Sequence, residues 1–335
     1  MLAPFAWIYG KIADVRNSLY ERGVLHTHAL GAKTISIGNI TAGGTGKTPL
    51  VALVSEMLAE KGEIVCILTR GYGRRDPKKR VLVSDWQSVL VNADIGGDEP
   101  VELANKLLGR AVVVADADRV GAAKWAKDAF EVTVFLLDDG FQHRRARRDV
   151  DIVCIDAGDP FSSGKMLPAG RLRELPHNLS RADAVVITRA DMAGNISDLR
   201  SRIEDLAPSA AIFTAKNEIE NVFPLENSSS SDRSAELPKA ARVAAFCGLG
   251  NPENFFALIA REFEIVHKTS YPDHYSYTQS DIKDLEQHAR EAGAAALITT
   301  GKDAVKLAQL RFTLSCYVAE IRTVLHDEQA FRAML

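Results

Sequence analysis

Residues 34–50, T-I-S-I-G-N-I-T-A-G-G-T-G-K-T-P-L, restrict the possible folds more than any other stretch of the chain. Thr34, Ile35, Ile37 and Ile40 have the β-branched character of a strand, and Gly43, Gly44 and Gly46 make a turn. Lys47-Thr48-Pro49 then opens an apolar helical run over 50–58, with Pro49 in the first turn, where its missing N–H is not needed. The glycines let backbone amides curl round an anion, and the helix N-terminus adds partial positive charge. Thr41, Ala42, Gly43, Gly44, Thr45, Gly46, Lys47 and Thr48 therefore read as a cradle for a nucleoside triphosphate. Lys47 can reach the outer phosphates, and the Thr48 hydroxyl suits Mg²⁺. The usual spacing has glycine at position 41, where this chain has Thr41; the alternative is an ordinary glycine-rich turn.

A length of 335 residues is enough for two domains, each with its own core. Ala42 stands where dimerising partition-type ATPases carry a lysine, which argues against that branch. A net charge of −3 excludes a dedicated nucleic-acid binder, and the short run Arg144, Arg145, Arg147, Arg148 reads as a solvated face or an acidic-substrate pocket. Cys66, Cys154, Cys247 and Cys316 are widely separated with no C-x-x-C, as expected of buried reduced thiols. No uncharged apolar stretch approaches the length of a membrane span. Over 1–25, Phe5, Ile8, Ile12, Val15 and Leu19 recur at helical spacing beside Trp7, Tyr9, Lys11 and Arg16. This amphipathic helix either lies in a membrane interface or docks on its own domain.

Further along, 64–69, 111–115, 132–137, 151–155 and 184–188 read as buried strands alternating with helices, which implies a mostly parallel sheet. Ligands of such sheets collect outside the carboxyl ends of the strands. Arg119 is placed there as a phosphate clamp. Asp138 and Asp139, at the end of another strand, are the usual Mg²⁺ companions of a phosphate loop. Asp98, ahead of a helix over 101–108, is either an N-cap or a functional carboxylate. The loop 164–174 offers Arg171, Arg173 and Glu174. T-R-A-D at 188–191 lacks the Asn and Lys of the guanine-reading motif. Residues 226–240 read as a flexible loop near the domain junction, followed by a smaller α/β unit. In it His274 lies among Tyr271, Tyr275 and Tyr277, in a structural or a catalytic role.

Gly38-Asn39 with the phosphate loop, Thr69-Arg70-Gly71-Tyr72-Gly73, Gly97-Asp98-Glu99-Pro100, Asp138-Asp139-Gly140-Phe141-Gln142-His143, Gly170-Arg171-Leu172-Arg173-Glu174 and Pro272-Asp273-His274 follow one another across nearly the whole chain. This ordered set resembles the tetraacyldisaccharide 4'-kinases, ATP-dependent enzymes of lipid A assembly in Gram-negative bacteria. The resemblance implies transfer of phosphate from ATP to the 4'-hydroxyl of a tetraacylated glucosamine disaccharide 1-phosphate, giving lipid IVA. It implies Asp98 as base supported by His274, Lys47 and Arg119 at the transferring group, and Arg171 as a further cation. Mg²⁺ would be held by Thr48, Asp138, Asp139 and Glu174. The implied architecture is a membrane-associating helix (1–25), a P-loop-type nucleotide-binding domain (26–215) and a smaller α/β domain (216–335) whose last helix packs back on the first. Because the acyl chains stay in the bilayer, the helix is expected to attach a monomer to the cytoplasmic face of the inner membrane. No nucleic-acid partner is expected. The rival is a P-loop switch or maturation NTPase acting on a protein partner, which would not need His274.

Overall fold

Short runs of Val, Ile, Leu and Ala, too apolar to leave either face in water, build the middle of this molecule. The computed structural model describes residues 2–225 and 237–335, so most of the serine-rich segment at 226–240 lies outside the described residues. In chain order the elements are α1 (Ala3–Glu21), β1 (Lys33–Gly38), α2 (Lys47–Glu60), β2 (Val65–Thr69), β3 (Val81–Asp85), α3 (Ala93–Gly96), α4 (Asp98–Lys106), β4 (Ala111–Ala115), α5 (Arg119–Phe130), β5 (Val134–Asp138), β6 (Val150–Asp156), β7 (Ala184–Thr188), α6 (Ile196–Leu206) and β8 (Ala211–Pro224). They continue with β9 (Arg242–Cys247), α7 (Pro252–Ile259), β10 (Glu264–Ser270), α8 (Gln279–Glu291), β11 (Ala296–Thr300), α9 (Gly301–Leu307), β12 (Cys316–Leu325) and α10 (Glu328–Met334).

The strands form one sheet in the order β10-β9-β11-β12-β8-β7-β6-β1-β5-β2-β4-β3. Only β12 with β8 and β3 with β4 pair antiparallel; the other pairings are parallel, and helices lie on both faces. This is the P-loop-type, mostly parallel α/β fold expected from the sequence. Its register matters for chemistry: Ile37 on β1 lies opposite Asp138 on β5, so the loop leaving β1 and the acidic end of β5 emerge side by side.

β8 joins the two halves of the sheet. Its first residues, Ala211 to Thr214, run parallel to β7, whereas Ala215 to Pro224 run antiparallel to β12. The strand therefore changes partner between Thr214 and Ala215. Phe331 of α10 packs edge-to-face on Phe213 at 5.0 Å between ring centres and shares a core with Leu50 and Val51 of α2.

Helix α1 sorts its side chains by size. The small residues Ala6, Gly10 and Ala13, with Asn17, face the protein. Phe5, Trp7, Ile8, Ile12 and Val15 face outward, Trp7 being 66% exposed. Among the described residues no helix is long and apolar enough to cross a membrane.

Candidate active site

The loop after β1 is shaped by backbone geometry that its sequence permits. Gly46, at φ 78°, caps α2 in the left-handed region, so the helix opens at Lys47, three residues before the apolar run begins. Gly43 takes φ 112°. Thr41 forms an isolated antiparallel bridge with Leu172, an extended conformation that does not require glycine. This explains the departure from the usual spacing. Side chains then brace the loop from outside. Asn39 Nδ2 donates to Thr45 Oγ1 at 2.9 Å, Thr188 Oγ1 donates to the Thr45 carbonyl at 2.9 Å, and Arg189 donates to the Gly44 carbonyl at 2.7 Å.

A cavity of about 1020 Å³ opens over this loop, with Lys47, Thr48, Arg119, Asp138 and Asp139 on its wall. Lys47 Nζ lies 3.5 Å from Asp139 Oδ1, and Arg173 donates to Asp139 Oδ2 at 2.6 Å. Burial alone raises the Asp139 carboxyl, but Lys47 and Arg173 together outweigh it and hold the group down at about 2. Lys47 lowers Asp138 too, but by less than its surroundings raise it. Burial, with Glu99 and Asp139 nearby, pushes it up to about 6, although it accepts from Thr69 Oγ1 at 3.0 Å. Arg119 is buried beside both carboxylates with its Nε buried and unpaired. His143, on the same wall, is held down at about 4 by burial and by Arg119, Arg148 and Arg145, and stays neutral near pH 7.

The far half of the molecule supplies the other group. His274 lies on the cavity wall and places Nδ1 2.8 Å from Asp98 Oδ2, joining residues 176 positions apart. Asp98 is buried behind it at the start of α4. Burial raises the Asp98 carboxyl, but the hydrogen bond from His274 and the charge of Lys302 win, and the net shift is downward. The same hydrogen bond raises His274 against the opposing effect of burial. His274 sits at φ 60°, a conformation costly for a residue with a side chain and kept only where surrounding contacts fix it.

Two expected site residues have further partners. Arg171 pairs with Asp159 while its Nη1 lies beside the glycine turn, 3.4 Å from where a Cβ on Gly43 would stand, and the cation that faces Asp139 is Arg173. Leu172 between them is buried, and the Arg173 N–H donates to the Ile40 carbonyl at 2.7 Å, which turns the second arginine inward. Glu174 is 0% exposed and off the cavity. Its Oε2 accepts from Asn17 Nδ2 at 2.7 Å and from Arg181 at 2.9 Å, which ties α1 to the body of the protein, while Oε1 is buried without a hydrogen-bond partner. Asn17→Ala removes one donor from this buried carboxylate. It should lower stability by about 1–3 kcal/mol, read as a fall in the midpoint of urea unfolding.

Glu102, one turn along α4 from Asp98, is pushed up to about 8 from its ordinary 4.5 by burial and by Glu99. An acid raised in the folded state binds more protons there than in the unfolded chain, so its contribution to stability falls as pH rises from about 4.5 through about 8. Glu102→Gln should flatten that slope and raise the melting temperature most at the alkaline end.

Over residues 1–335 the chain matches a family model described as Tetraacyldisaccharide-1-P 4'-kinase. A Geobacter metallireducens protein named tetraacyldisaccharide 4'-kinase is 37% identical over 322 residues, covering 96% of this chain and 92% of that protein. A Desulfotalea psychrophila protein of the same name is 34% identical over 328 residues, with 97% and 92% covered. The fold is similar to that of LpxK from Aquifex aeolicus, solved in complex with ATP, at a TM-score of 0.76 and 30% identity, covering 99% of this chain and 96% of that one. This chain belongs to the tetraacyldisaccharide 4'-kinase family.

Proposed function

We propose that this protein transfers the γ-phosphate of ATP to the 4'-hydroxyl of a tetraacylated glucosamine disaccharide 1-phosphate. The observation that carries the reading is the His274–Asp98 pair, 2.8 Å apart, on the same cavity as a phosphate loop. A sugar hydroxyl is a weak nucleophile, and a positioned base contributes typically about 10²–10⁴ in rate. A switch NTPase has no use for such a pair beside its phosphate loop.

The family analogy named Asp98 as the base, and the burial of Asp98 behind His274 favours the reverse order within the pair. In our reading, His274 takes the hydroxyl proton at Nε2, the ring nitrogen that Asp98 does not hold. Asp98 holds the other ring nitrogen and balances the charge that forms. Lys47 and Arg119 offset the charge of the transferring group, and Arg173 keeps Asp139 ionised and in place.

The donor set fits Mg²⁺. Thr48, Asp138 and Asp139 offer hard oxygen atoms, and the Asp139 oxygen that faces Lys47 at 3.5 Å makes no hydrogen bond. Among the described residues no cluster of three or more acidic, His or Cys side chains forms a complete metal cage. That agrees with an ion held by one or two carboxylates and the nucleotide's own phosphates. When bound, Mg²⁺ would supply positive charge that offsets the charge of the phosphates.

The outward row of Phe5, Trp7, Ile8, Ile12 and Val15 supports peripheral attachment of α1 to the cytoplasmic face of the inner membrane, where the acyl chains of the substrate reside. Both halves of one chain complete the cavity, which supports a monomer as the working unit. The test is transfer of labelled γ-phosphate from ATP to the tetraacylated disaccharide 1-phosphate in detergent micelles. Hydrolysis of ATP with no labelled lipid formed would overturn the reading.

A further inference from the structure

Asp98 and His274 each have a charged neighbour in sequence, Glu99 and Asp273, and one buried lysine holds both neighbours. Lys302 Nζ lies 3.2 Å from Glu99 Oε1 and 2.8 Å from Asp273 Oδ1, and the residue is only 7% exposed. Asp273 Oδ1 in turn accepts the backbone N–H of His274 at 3.1 Å. The contacts close a ring that crosses the two halves of the sheet. On one side His274 meets Asp98 directly; on the other Glu99 meets Asp273 through Lys302.

We propose that Lys302 is a positioning residue that sets the His274 ring on Asp98 and so completes the proton-accepting pair. The inference rests on the reading of that pair as the base. Three features make the lysine a fixed point. It stands in the first turn of α9, whose start is pinned by Asp303: its Oδ2 accepts the Gly248 N–H at 2.9 Å and the Thr300 hydroxyl at 2.8 Å. Helix α9 also approaches α4 at Gly301, where an added Cβ would meet Glu102 Oε1 at 3.0 Å. Finally, the left-handed backbone of His274 needs outside contacts to hold it, and the Asp273 carboxylate gripped by Lys302 supplies one.

The charges around Lys302 come from each element packed on it: Asp98, Glu99 and Glu102 of α4, Asp273 and His274 of the preceding loop, and Asp303 and Lys306 of its own helix. Burial disfavours the ammonium ion, and the carboxylates of Glu99, Asp98 and Asp273 more than reverse this, so the lysine is held charged. A neutral side chain of similar length would leave Glu99 and Asp273 facing one another without a counter-charge. The loop carrying His274 would then swing away from Asp98.

The test compares Lys302→Met and Lys302→Arg in the full-length protein, measuring phosphate transfer to the lipid acceptor and thermal unfolding. Misplacing a reacting group by about 1 Å costs on the order of 10²-fold in rate. Lys302→Met should therefore lower kcat by about that factor, with KM for ATP changed less than about 3-fold, and Lys302→Arg should recover most of the loss. In a His274→Ala background, Lys302→Met should add less than about 3-fold, since the group it positions is gone. Wild-type kcat in Lys302→Met overturns the inference. Equal losses in both variants with a lowered melting temperature, or a full additional loss in the His274→Ala background, overturn it as well. If His274→Ala and Asp98→Asn themselves turn over normally, the base reading fails and this inference falls with it. Deep losses in those two beside a normal Lys302→Met remove only the inference.

Discussion

Asp98→Asn is expected to lower kcat for phosphate transfer by about 10³-fold, while KM for ATP stays within a few-fold. The carboxylate of Asp98 accepts from His274 Nδ1 and thereby leaves the opposite ring nitrogen, which lies 3.8 Å from Asp273 Oδ2, free to take a proton. An asparagine amide can present its NH₂ to Nδ1 instead, which places the hydrogen on the wrong nitrogen and supplies no negative charge to the imidazolium. The pH profile carries a second signature. His274 is raised by its hydrogen bond to Asp98, and the base works only when the ring is neutral. Activity should therefore rise with pH through the raised value and fall below it. In Asp98→Asn the cause of the shift is gone, so this acid limb should move to lower pH even as the maximum drops. His274→Ala should cost about 10²–10⁴-fold and show no limb from this group. The assay is labelled γ-phosphate transfer in micelles across the pH range. An Asp98→Asn protein with wild-type kcat would show that the pair is structural.

How much of this was visible beforehand depends on the range of the interaction that decides each feature. The phosphate loop is a local device: glycines, lysine and threonine lie within eight positions, and strand, turn and helix follow from nearest neighbours, so the sequence displays it in full. Asp138 and Asp139 were legible for the same reason, ending an apolar strand. β8 was not. Its exposed and half-buried residues, among them Lys216, Glu218 and Glu220, break the apolar run because the strand changes partner midway and ion-pairs at the surface with Arg322 and Lys106. Arg171 and Arg173 are chemically identical and two positions apart. Only the burial of Leu172 and the hydrogen bond to the Ile40 carbonyl decide which one faces Asp139, and both depend on packing between distant segments. The surroundings of Glu174 were hidden for a related reason. Beside a phosphate loop a carboxylate invites a metal role, and the partners that claim this one sit 157 positions away in α1 and on Arg181.

The arginine pair also supports the second large expectation, which separates a cation at the reacting phosphate from one that only borders the loop. Lys47→Met should lower kcat by about 10³-fold, the size found when a preorganised group facing developing charge is removed from a closed site. No solvent can replace it readily, because Lys47 sits in the first turn of α2 with its ammonium directed at Asp139. Arg173→Met should cost less, about 10²-fold, since it acts by holding Asp139 rather than by meeting the phosphoryl group. The low value of Asp139, about 2, depends on both cations, and losing either weakens the ionised carboxylate on which Mg²⁺ would depend. Apparent affinity for Mg²⁺ should accordingly fall in Arg173→Met. Arg171→Met, by contrast, removes a cation that borders the phosphate loop at Gly43 and pairs with Asp159 in solvent, where charge pairs contribute little. Its kcat should stay within about 3-fold of wild type. The order Lys47, Arg173, Arg171, read from kcat at saturating ATP, is what the geometry requires. A larger loss for Arg171 than for Arg173 would mean that Arg171, which borders Gly43, is the cation that meets the phosphates.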